Sequence, residues 1–333
     1  MYTRLVIANQ NGIFQKVENM VGKPFPSGHP LADRRAAFAE TFAHLGDISA
    51  AIEILSGALE LAPNWAAGWF RLGEYFERVD ATDEAIAAWQ QVVRADPSDP
   101  FGAGLKLDLM KDVPIAETMP SAFVEMLFDQ YAPRFETSLV DKLDYKGPEL
   151  LMSALGVTGF IRANRALDLG CGTGLMGMHL RDQCGWLGGY DISQGMLDEA
   201  AMKGIYDLLE KRDLGHLPPS QTAYDLIVAA DVFIYLGALE QIIGWCAGAL
   251  SANGRIAFTF ETADRPIELR QSRRFAHSPA YIQEVLQHAG FDQITMQNCV
   301  LRQDRGADIH SFCVVASSDR SAIRRADDQL AYA

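Results

Sequence analysis

The sequence lacks three features that would each assign it to a familiar class of protein. Its five cysteines show no C-x-x-C or other metal-ligand spacing, which predicts free thiols in a reducing compartment and no zinc site. No apolar run reaches the roughly 18 residues that a membrane-spanning helix needs. Lys and Arg (29) are outnumbered by Asp and Glu (43), giving a formal net charge of −14, whereas nucleic-acid binding requires a basic surface. We therefore expect a cytoplasmic protein without a metal site, a membrane contact or a nucleic-acid partner.

The length of 333 residues predicts two domains. Segments that contain two prolines and lack apolar periodicity precede the first domain and separate the two domains. The polar C-terminal segment is typical of a tail. The predicted divisions are an extended arm over 1–29, a helical domain over 30–112, a linker over 113–120, an α/β domain over 121–316 and a polar tail over 317–333.

A repeat runs through the helical domain. Pro63 and Pro97 lie 97 − 63 = 34 residues apart, and each follows a helical pattern of large and small residues. In the second unit these are Trp69, Leu72, Gly73, Phe76, Ala85, Trp89 and Val92. The period and the pattern resemble tetratricopeptide repeats, which are stacked pairs of antiparallel helices.

Two interpretations of these repeats remain open. They form a groove for a protein partner, or they form a structural wing that packs on the catalytic domain or on a second subunit. The inner face shows no obvious basic clamp for a peptide carboxylate, which favours the wing.

The stretch from Arg165 to Gly174, Arg-Ala-Leu-Asp-Leu-Gly-Cys-Gly-Thr-Gly, predicts a buried strand, a glycine-rich turn and the start of a helix. Glycines leave backbone N–H groups accessible and allow a ligand to approach closely. A helix N-terminus beyond such a turn attracts polar or anionic groups. Asp168 interrupts a strand of a kind that is normally apolar. A carboxylate there suits a ligand that carries an ammonium group.

This D-x-G-x-G-x-G pattern resembles motif one of the S-adenosylmethionine-dependent methyltransferases of the Rossmann-like class. The resemblance implies that Asp168 reaches the amino group of S-adenosylmethionine and that the turn surrounds its methionine end, through Gly170, Cys171, Gly172 and Gly174.

Two other interpretations of the same turn stay open. Gly172, Gly174 and Gly177 also fit the dinucleotide fingerprint G-x-G-x-x-G, and a tight turn without any ligand is the third interpretation. A lone fingerprint of that kind is weak, and Asp168 together with the downstream pattern favours the methyltransferase.

The downstream residues extend the resemblance. Asp191 lies 191 − 170 = 21 residues after the first glycine, where both nucleotide-binding families place an acid for ribose hydroxyls. The methyltransferase resemblance implies that Ile192 and Met196 pack on adenine. It also implies further cofactor contacts from an acid–apolar pair, from the end of the fourth strand and from an aromatic N-terminal lid: Asp213, Leu214, Asp231 and Tyr131. Asp213 is alternatively a solvated loop acid.

The acceptor side is predicted from the segment after the fifth strand. His277 is the first candidate for a general base, and Tyr235 and Glu261 are the next candidates. The competing interpretation of His277 is that it is simply a polar residue before a helix. Four arginines stand against one acid in this acidic chain, and Tyr281 begins the next helix. Arg270, Arg273, Arg274 and Tyr281 are the candidate substrate-binding residues; alternatively, the arginines only balance surface acids.

Taken together, the resemblance implies an α/β fold with a seven-stranded, mostly parallel sheet and a terminal antiparallel hairpin, preceded by an all-α tetratricopeptide-like domain. The expected function is methyl transfer from S-adenosylmethionine to a small metabolite by in-line displacement, and an anionic acceptor is one of the two interpretations of the arginines. The alternatives are a protein methyltransferase that holds its target with the repeats, and a non-catalytic scaffold that senses the cofactor.

Overall fold

A computed structural model describes residues 25–110, 119–132, 135–136, 143–304 and 307–318. The chain divides into two compact units, 1–114 and 115–333, which are considered separately below. Most of the predicted arm, linker and tail lies outside the described residues.

The first unit is helical, as expected. Its helices are α1 (Pro30–His44), α2 (Ile48–Leu59), α3 (Ala66–Arg78), α4 (Thr82–Ala95) and α5 (Ala103–Met110), and each packs on the next.

Small residues let paired helices of this unit approach closely. A Cβ atom built on Gly73 of α3 would lie 2.3 Å from Nε1 of Trp89 on α4, so the indole fills the space that a side chain would need. Ala85 and Trp89 are fully buried. The predicted packing roles of Gly73, Ala85 and Trp89 are therefore confirmed.

The second unit alternates helices and strands. Its helices are α6 (Ser121–Tyr131), α7 (Gly147–Val157), α8 (Leu175–Leu180), α9 (Gln194–Met202), α10 (Glu240–Ala249) and α11 (Pro279–His288). Its strands are β1 (Ala163–Leu169), β2 (Cys184–Asp191), β3 (Leu208–Lys211), β4 (Tyr224–Ala229), β5 (Leu250–Glu261), β6 (Ile267–Leu269), β7 (Phe275–His277), β8 (Gln293–Asp304) and β9 (Ala307–Ser317).

Seven of these strands form one sheet in the order β3-β2-β1-β4-β5-β9-β8. β1 to β5 pair in parallel, whereas β9 is antiparallel to both β5 and β8. The strand order reverses between β1 and β4, and an open α/β sheet binds ligands at the carboxyl ends of its strands near such a reversal. The predicted mostly parallel sheet with a terminal antiparallel hairpin is confirmed.

Apolar layers cover both faces of the sheet. One face packs on α10 and α11 through residues such as Ile242, Ile243, Ile282 and Leu286. The other packs on α7 and α8 through Leu151, Leu155, Met176 and Leu180. This layering leaves the strand ends as the place where polar side chains gather.

Three local features were not predicted from the sequence. Tyr206 lies just before the third strand, which begins at Leu208, and its hydroxyl donates to Asp168. Strands β6 and β7 form a two-stranded sheet that was not predicted, since three residues are too few to show periodicity. Ser121 is the first residue of α6, and its hydroxyl donates to Asp213 in the turn after β3.

Candidate functional site

The turn after β1 depends on left-handed backbone at its glycines. Gly170, Gly172 and Gly174 have φ angles of +62°, +53° and +94°, which other residues adopt only with strain. A Cβ atom on Gly170 would lie 2.6 Å from Val232. The nearest atom to such a Cβ on Gly172 is 3.9 Å away, in Phe135, so the backbone there faces open space. Between them, Cys171 is buried and its N–H donates to Tyr190 at 3.0 Å.

Asp168, the penultimate residue of β1, is nearly inaccessible, with 1% of its surface exposed. Its Oδ2 accepts a hydrogen bond of 2.7 Å from the Tyr206 hydroxyl. Within the described residues, Oδ1 has no hydrogen-bond partner. Burial raises the pKa of Asp168 to about 7. A buried oxygen without a partner is costly, and its presence beside the turn indicates a binding position for a donor.

Asp191 ends the neighbouring strand β2 and holds the glycine turn. Its Oδ2 accepts from the Gly172 N–H at 2.8 Å and its Oδ1 from the Ser193 N–H at 2.9 Å. Burial raises the pKa of this carboxyl group to about 6. Because each carboxylate oxygen accepts more than one hydrogen bond, the two oxygens keep capacity for a ligand.

The next two segments continue around the same edge. Ser193 caps α9 by accepting from the Met196 N–H at 3.1 Å; Met196 is buried and Ile192 is half-buried. Asp213 begins a 3-10 turn over Leu214–His216 and accepts from the N–H of Gly215 at 2.9 Å.

Asp213 also accepts from Ser121 on α6, at 2.7 Å. Although burial acts to raise its pKa, hydrogen bonds from Ser121 and His216 hold the pKa of Asp213 below its usual value. Asp213 is therefore an ionised acid in an ordered turn.

Helix α6 and the residues just after it reach each of these strand ends. Asp129 accepts from the Ser193 hydroxyl at 2.6 Å and from the Gly195 N–H at 3.1 Å. Glu136 accepts from the Thr173 hydroxyl in the glycine turn at 2.6 Å. These bonds place α6 over the carboxyl edge of the sheet.

Aromatic rings accompany α6. Phe128 packs edge to face on Tyr235, with ring centroids 5.2 Å apart, and the half-buried Tyr131 packs on Phe135 at 6.2 Å. The helix thus presents an apolar surface beside the glycine turn, where the aromatic lid was expected.

A buried ion-pair cluster lies at the ends of β4 and β5. Arg302, from β8, has a fully buried side chain and pairs with both Asp231 and Glu261. Asp231 adopts a φ of +59°, and its N–H donates to the Thr259 hydroxyl at 2.8 Å. The cluster contains two acids and one base, so it carries one negative charge when all three groups are ionised.

Tyr235 and two arginines lie together near α6. The Arg274 side chain hydrogen-bonds Tyr235, and burial raises the pKa of that phenol. The Arg273 guanidinium lies 5.5 Å from the ring centroid of Phe123 on α6. Both arginines are buried, at 2% and 5% exposure.

The other two arginines of the segment lie elsewhere. Arg270 donates to the Thr262 carbonyl at 2.6 Å and lies 3.8 Å from Glu268, so its guanidinium serves the β6–β7 hairpin. Arg265 is exposed.

His277, in β7, is completely buried. Its Nε2 lies 2.7 Å from the Gly237 carbonyl, and because a carbonyl only accepts, this nitrogen carries the proton. Burial lowers the pKa of His277, which keeps the ring neutral at pH 7. Its Nδ1 lacks a hydrogen-bond partner within the described residues.

Tyr281 stacks on His277 with ring centroids 5.7 Å apart and an angle of 14° between the planes, so the two side chains lie side by side. Its hydroxyl accepts from the Leu239 N–H at 2.9 Å and donates to Glu240 at 3.0 Å. Tyr281 thus joins α11 to the start of α10.

Comparison with known proteins identifies this region. Residues 167–256 match the sequence family described as a methyltransferase domain. Residues 167–256 therefore carry the sequence features of a methyltransferase domain.

Two curated relatives share part of this chain. A malonyl-[acyl-carrier protein] O-methyltransferase from Enterobacter lignolyticus is 26% identical over 169 residues, which are 51% of this chain and 65% of the relative. The human methyltransferase-like protein 27 is 33% identical over 107 residues, 30% of this chain and 43% of the relative. The chain therefore spans less than two thirds of either relative.

Solved structures with related folds include two methyltransferases crystallised with S-adenosylhomocysteine. The magnesium protoporphyrin IX methyltransferase from Synechocystis is 19% identical, with a TM-score of 0.46, over 60% of this chain and 99% of that one. The 1,6-didemethyltoxoflavin-N1-methyltransferase from Burkholderia thailandensis is 16% identical, with a TM-score of 0.49, over 62% and 93%.

The residues of the methyltransferase domain fit S-adenosylmethionine. The backbone at Gly172 is open to a ligand, and the buried Oδ1 of Asp168 needs a donor, which the ammonium group of the cofactor would supply. No cluster of three or more potential metal ligands occurs among the residues that the structure describes. Within the same part of the chain, no helix combines the length and apolar character of a membrane span.

Sequence reasoning missed two residues of the methyltransferase domain. Arg302 carries no sequence signal beyond its basic side chain, and Tyr206 carries none beyond its aromatic ring. Both act through residues far away in the chain, Arg302 on Asp231 and Tyr206 on Asp168.

Proposed function

We propose that this protein transfers a methyl group from S-adenosylmethionine to a small anionic acceptor by in-line displacement. The observation that carries the proposal is the buried Asp168 carboxyl beside three left-handed glycines, at the reversal point of the sheet. That combination suits a ligand with both an ammonium group and a nucleoside.

The proposed cofactor contacts follow the strand ends. Asp168 accepts hydrogen bonds from the ammonium group, and Asp191 accepts hydrogen bonds from the ribose hydroxyls. Ile192 and Met196 pack on adenine, whose amino group lies toward Asp213 and Leu214. The support is positional: Asp168, Asp191 and Asp213 follow successive strands at one edge of the sheet.

The bound cofactor supplies a methyl group on a sulfonium, which is a good leaving group. The protein then contributes mainly position, and good orientation is worth on the order of 7–11 kcal/mol. Helix α6 would exclude water through Phe128 and Tyr131, which lie against Tyr235 and Phe135. Glu261 and Asp231, both paired with Arg302, would fix the backbone at the ends of β4 and β5.

The acceptor is proposed to carry a carboxylate or phosphate that pairs with Arg274 and Arg273. Both guanidinium groups are buried near α6 and Tyr235, and guanidinium matches such anions in bidentate fashion. Arg270 is not assigned to the acceptor. Its guanidinium donates a hydrogen bond to the Thr262 carbonyl and forms an ion pair with Glu268, so it supports the hairpin.

Proton transfer is assigned to His277 for a nucleophile that arrives protonated. Its ring is neutral at pH 7 and its Nδ1 retains a lone pair. A carboxylate acceptor is already deprotonated and needs no base.

The helical unit is proposed to consist of tetratricopeptide repeats that serve as a structural wing. Its support is the 34-residue spacing of the second helices, 82 − 48 = 34, together with the fit of Trp89 over Gly73.

The test combines an acceptor search with arginine variants. Incubation with methyl-labelled S-adenosylmethionine and a panel of carboxylates, phosphates, amines and denatured lysate protein should place label in an anionic small molecule. Arg274→Ala should then lower turnover efficiency about a hundredfold, or 2.7 kcal/mol, with unchanged cofactor affinity. Arg265→Ala, at an exposed arginine of the same segment, is the matched control. Label in protein, in amines, or in nothing would refute the proposal.

A further inference from the structure

Tyr206 is the only described side chain that hydrogen-bonds Asp168. It lies between α9 and β3, and its hydroxyl donates to Oδ2 of Asp168 at 2.7 Å. The backbone of Gly177, in the first turn of α8, also hydrogen-bonds this hydroxyl. The phenol therefore connects the first helical turn after the glycine loop to the carboxyl group at the end of β1.

The backbone around Tyr206 is fixed on both sides. Arg181 donates to the Ile205 carbonyl at 2.9 Å and to the Asp207 carboxylate at 2.8 Å. Asp207 in turn accepts from the Leu187 N–H of β2 at 2.8 Å. The hydroxyl is thus held in place without any ligand.

Glycines make room for the ring. A Cβ atom on Gly177 would lie 2.2 Å from the Tyr206 hydroxyl, and one on Gly174 or Gly189 would lie 3.1 or 3.0 Å from the ring. Gly177 is helical and has no left-handed backbone. Its lack of a side chain is therefore explained by Tyr206, and the dinucleotide fingerprint is not needed to account for it.

We propose that Tyr206 is a positioning residue that orients the Asp168 carboxylate so that Oδ1 meets the ammonium group of the cofactor. The inference rests on the proposed function. By donating to Oδ2, the phenol fixes the plane of the carboxylate and leaves Oδ1, buried and without a partner, for the ligand.

The charge of Asp168 makes this role measurable. Burial raises its pKa to about 7, whereas the Tyr206 hydrogen bond lowers that pKa and the Asp191 charge raises it. The other titratable groups coupled to it electrostatically are Cys171, Tyr145 and Cys184. Ammonium binding needs the ionised carboxylate, so affinity should fall as the pH drops below about 7. Without the phenol, the fall should begin at a higher pH.

The test compares two ligands that differ only in the amino-acid part. S-adenosylhomocysteine carries the ammonium group, whereas 5′-methylthioadenosine keeps the nucleoside and the sulfur but lacks it. In full-length protein, Tyr206→Phe should weaken S-adenosylhomocysteine binding about 10- to 100-fold, as expected for a hydrogen bond to a charged group. Affinity for 5′-methylthioadenosine should stay unchanged. Tyr224→Phe, which removes a phenol from the start of β4 at the opposite edge of the sheet, is the control.

Each outcome separates this inference from the proposed function. If Tyr206→Phe lost equal affinity for both ligands, Tyr206 would only support the fold. If it lost affinity for neither ligand, Tyr206 would not act on the cofactor. Either result overturns the inference. If the unaltered protein bound neither ligand, the proposed function itself would fail. Selective loss of S-adenosylhomocysteine, with the pH profile moved to higher pH, supports the positioning role.

Discussion

Asp191, on the proposed cofactor side, is held by backbone N–H groups, whereas Asp231 and Glu261, on the proposed acceptor side, are held by the side chain of Arg302. Asp191 accepts hydrogen bonds from the N–H of Ser193, two residues further along the chain, and from the N–H of Gly172 in the neighbouring glycine turn. Arg302 instead reaches Asp231 and Glu261, which lie 71 and 41 residues away. Under the proposed function, backbone bonds would hold the carboxylate that meets the cofactor, and the buried ion pairs would hold the strand ends beside the acceptor.

The largest effect should come from breaking the ion-pair cluster. Arg302→Met would leave two buried carboxylates without their cation, and removing one partner of a buried pair costs about 3–5 kcal/mol of folding free energy. Denaturant unfolding measures this. The control is Arg212→Met, at a partly exposed pair with Glu210, which should cost about 0–1 kcal/mol. If the two variants lost equal stability, the cluster would not hold the acceptor side together.

A smaller effect is expected at the cofactor edge. Asp191→Asn should weaken binding of both S-adenosylhomocysteine and 5′-methylthioadenosine by about 1.5–3 kcal/mol, because both contain the ribose and each hydrogen bond to a charged group is worth that much. Asp168→Asn should weaken only the ligand with the ammonium group. Titration calorimetry on the two variants distinguishes the roles, and an identical pattern for both variants would contradict them.

Gly177→Ala should affect binding and helix propensity in opposite directions. The new methyl group would displace the Tyr206 hydroxyl, which lies 2.2 Å from the position of the Cβ, and should weaken S-adenosylhomocysteine binding by about 1 kcal/mol. Alanine is otherwise the better helix former, by about 1 kcal/mol. Unchanged affinity would show that the ring moves without consequence for Asp168.

The smallest effect should follow from loosening α6 at its exposed end. Glu125 lies 2.6 Å from Lys211 with both side chains partly exposed, so Glu125→Gln should change stability by about 0–1 kcal/mol. Asp129→Asn removes the acceptor of Ser193 and Gly195 and should cost more. Thermal unfolding compares the two; a larger loss for Glu125→Gln would contradict the assigned contacts.

The same contrast explains how far the sequence was informative. Asp168 and the three glycines sit within seven residues, so the turn, its neighbouring strand and the sheet class were predictable from pattern. Arg302 was not, because its role depends on β8 meeting the ends of β4 and β5. Tyr206 was missed for a similar reason: its partner, Asp168, lies 38 residues earlier, on β1.

The acceptor side shows the same limit at residue level. Four arginines in one segment predicted a cluster, but the fold buries Arg273 and Arg274, uses Arg270 inside the hairpin and leaves Arg265 exposed. Sequence spacing does not distinguish these environments. They are determined by the β6–β7 hairpin, whose strands are too short to show an alternation of apolar and polar residues.

The most direct test of the whole account is cofactor binding by titration calorimetry on the full-length protein. We predict that S-adenosylmethionine and S-adenosylhomocysteine bind at micromolar level, about −8 kcal/mol, and that NAD does not bind detectably. Tight binding of NAD with no heat from either S-adenosyl compound would contradict the account.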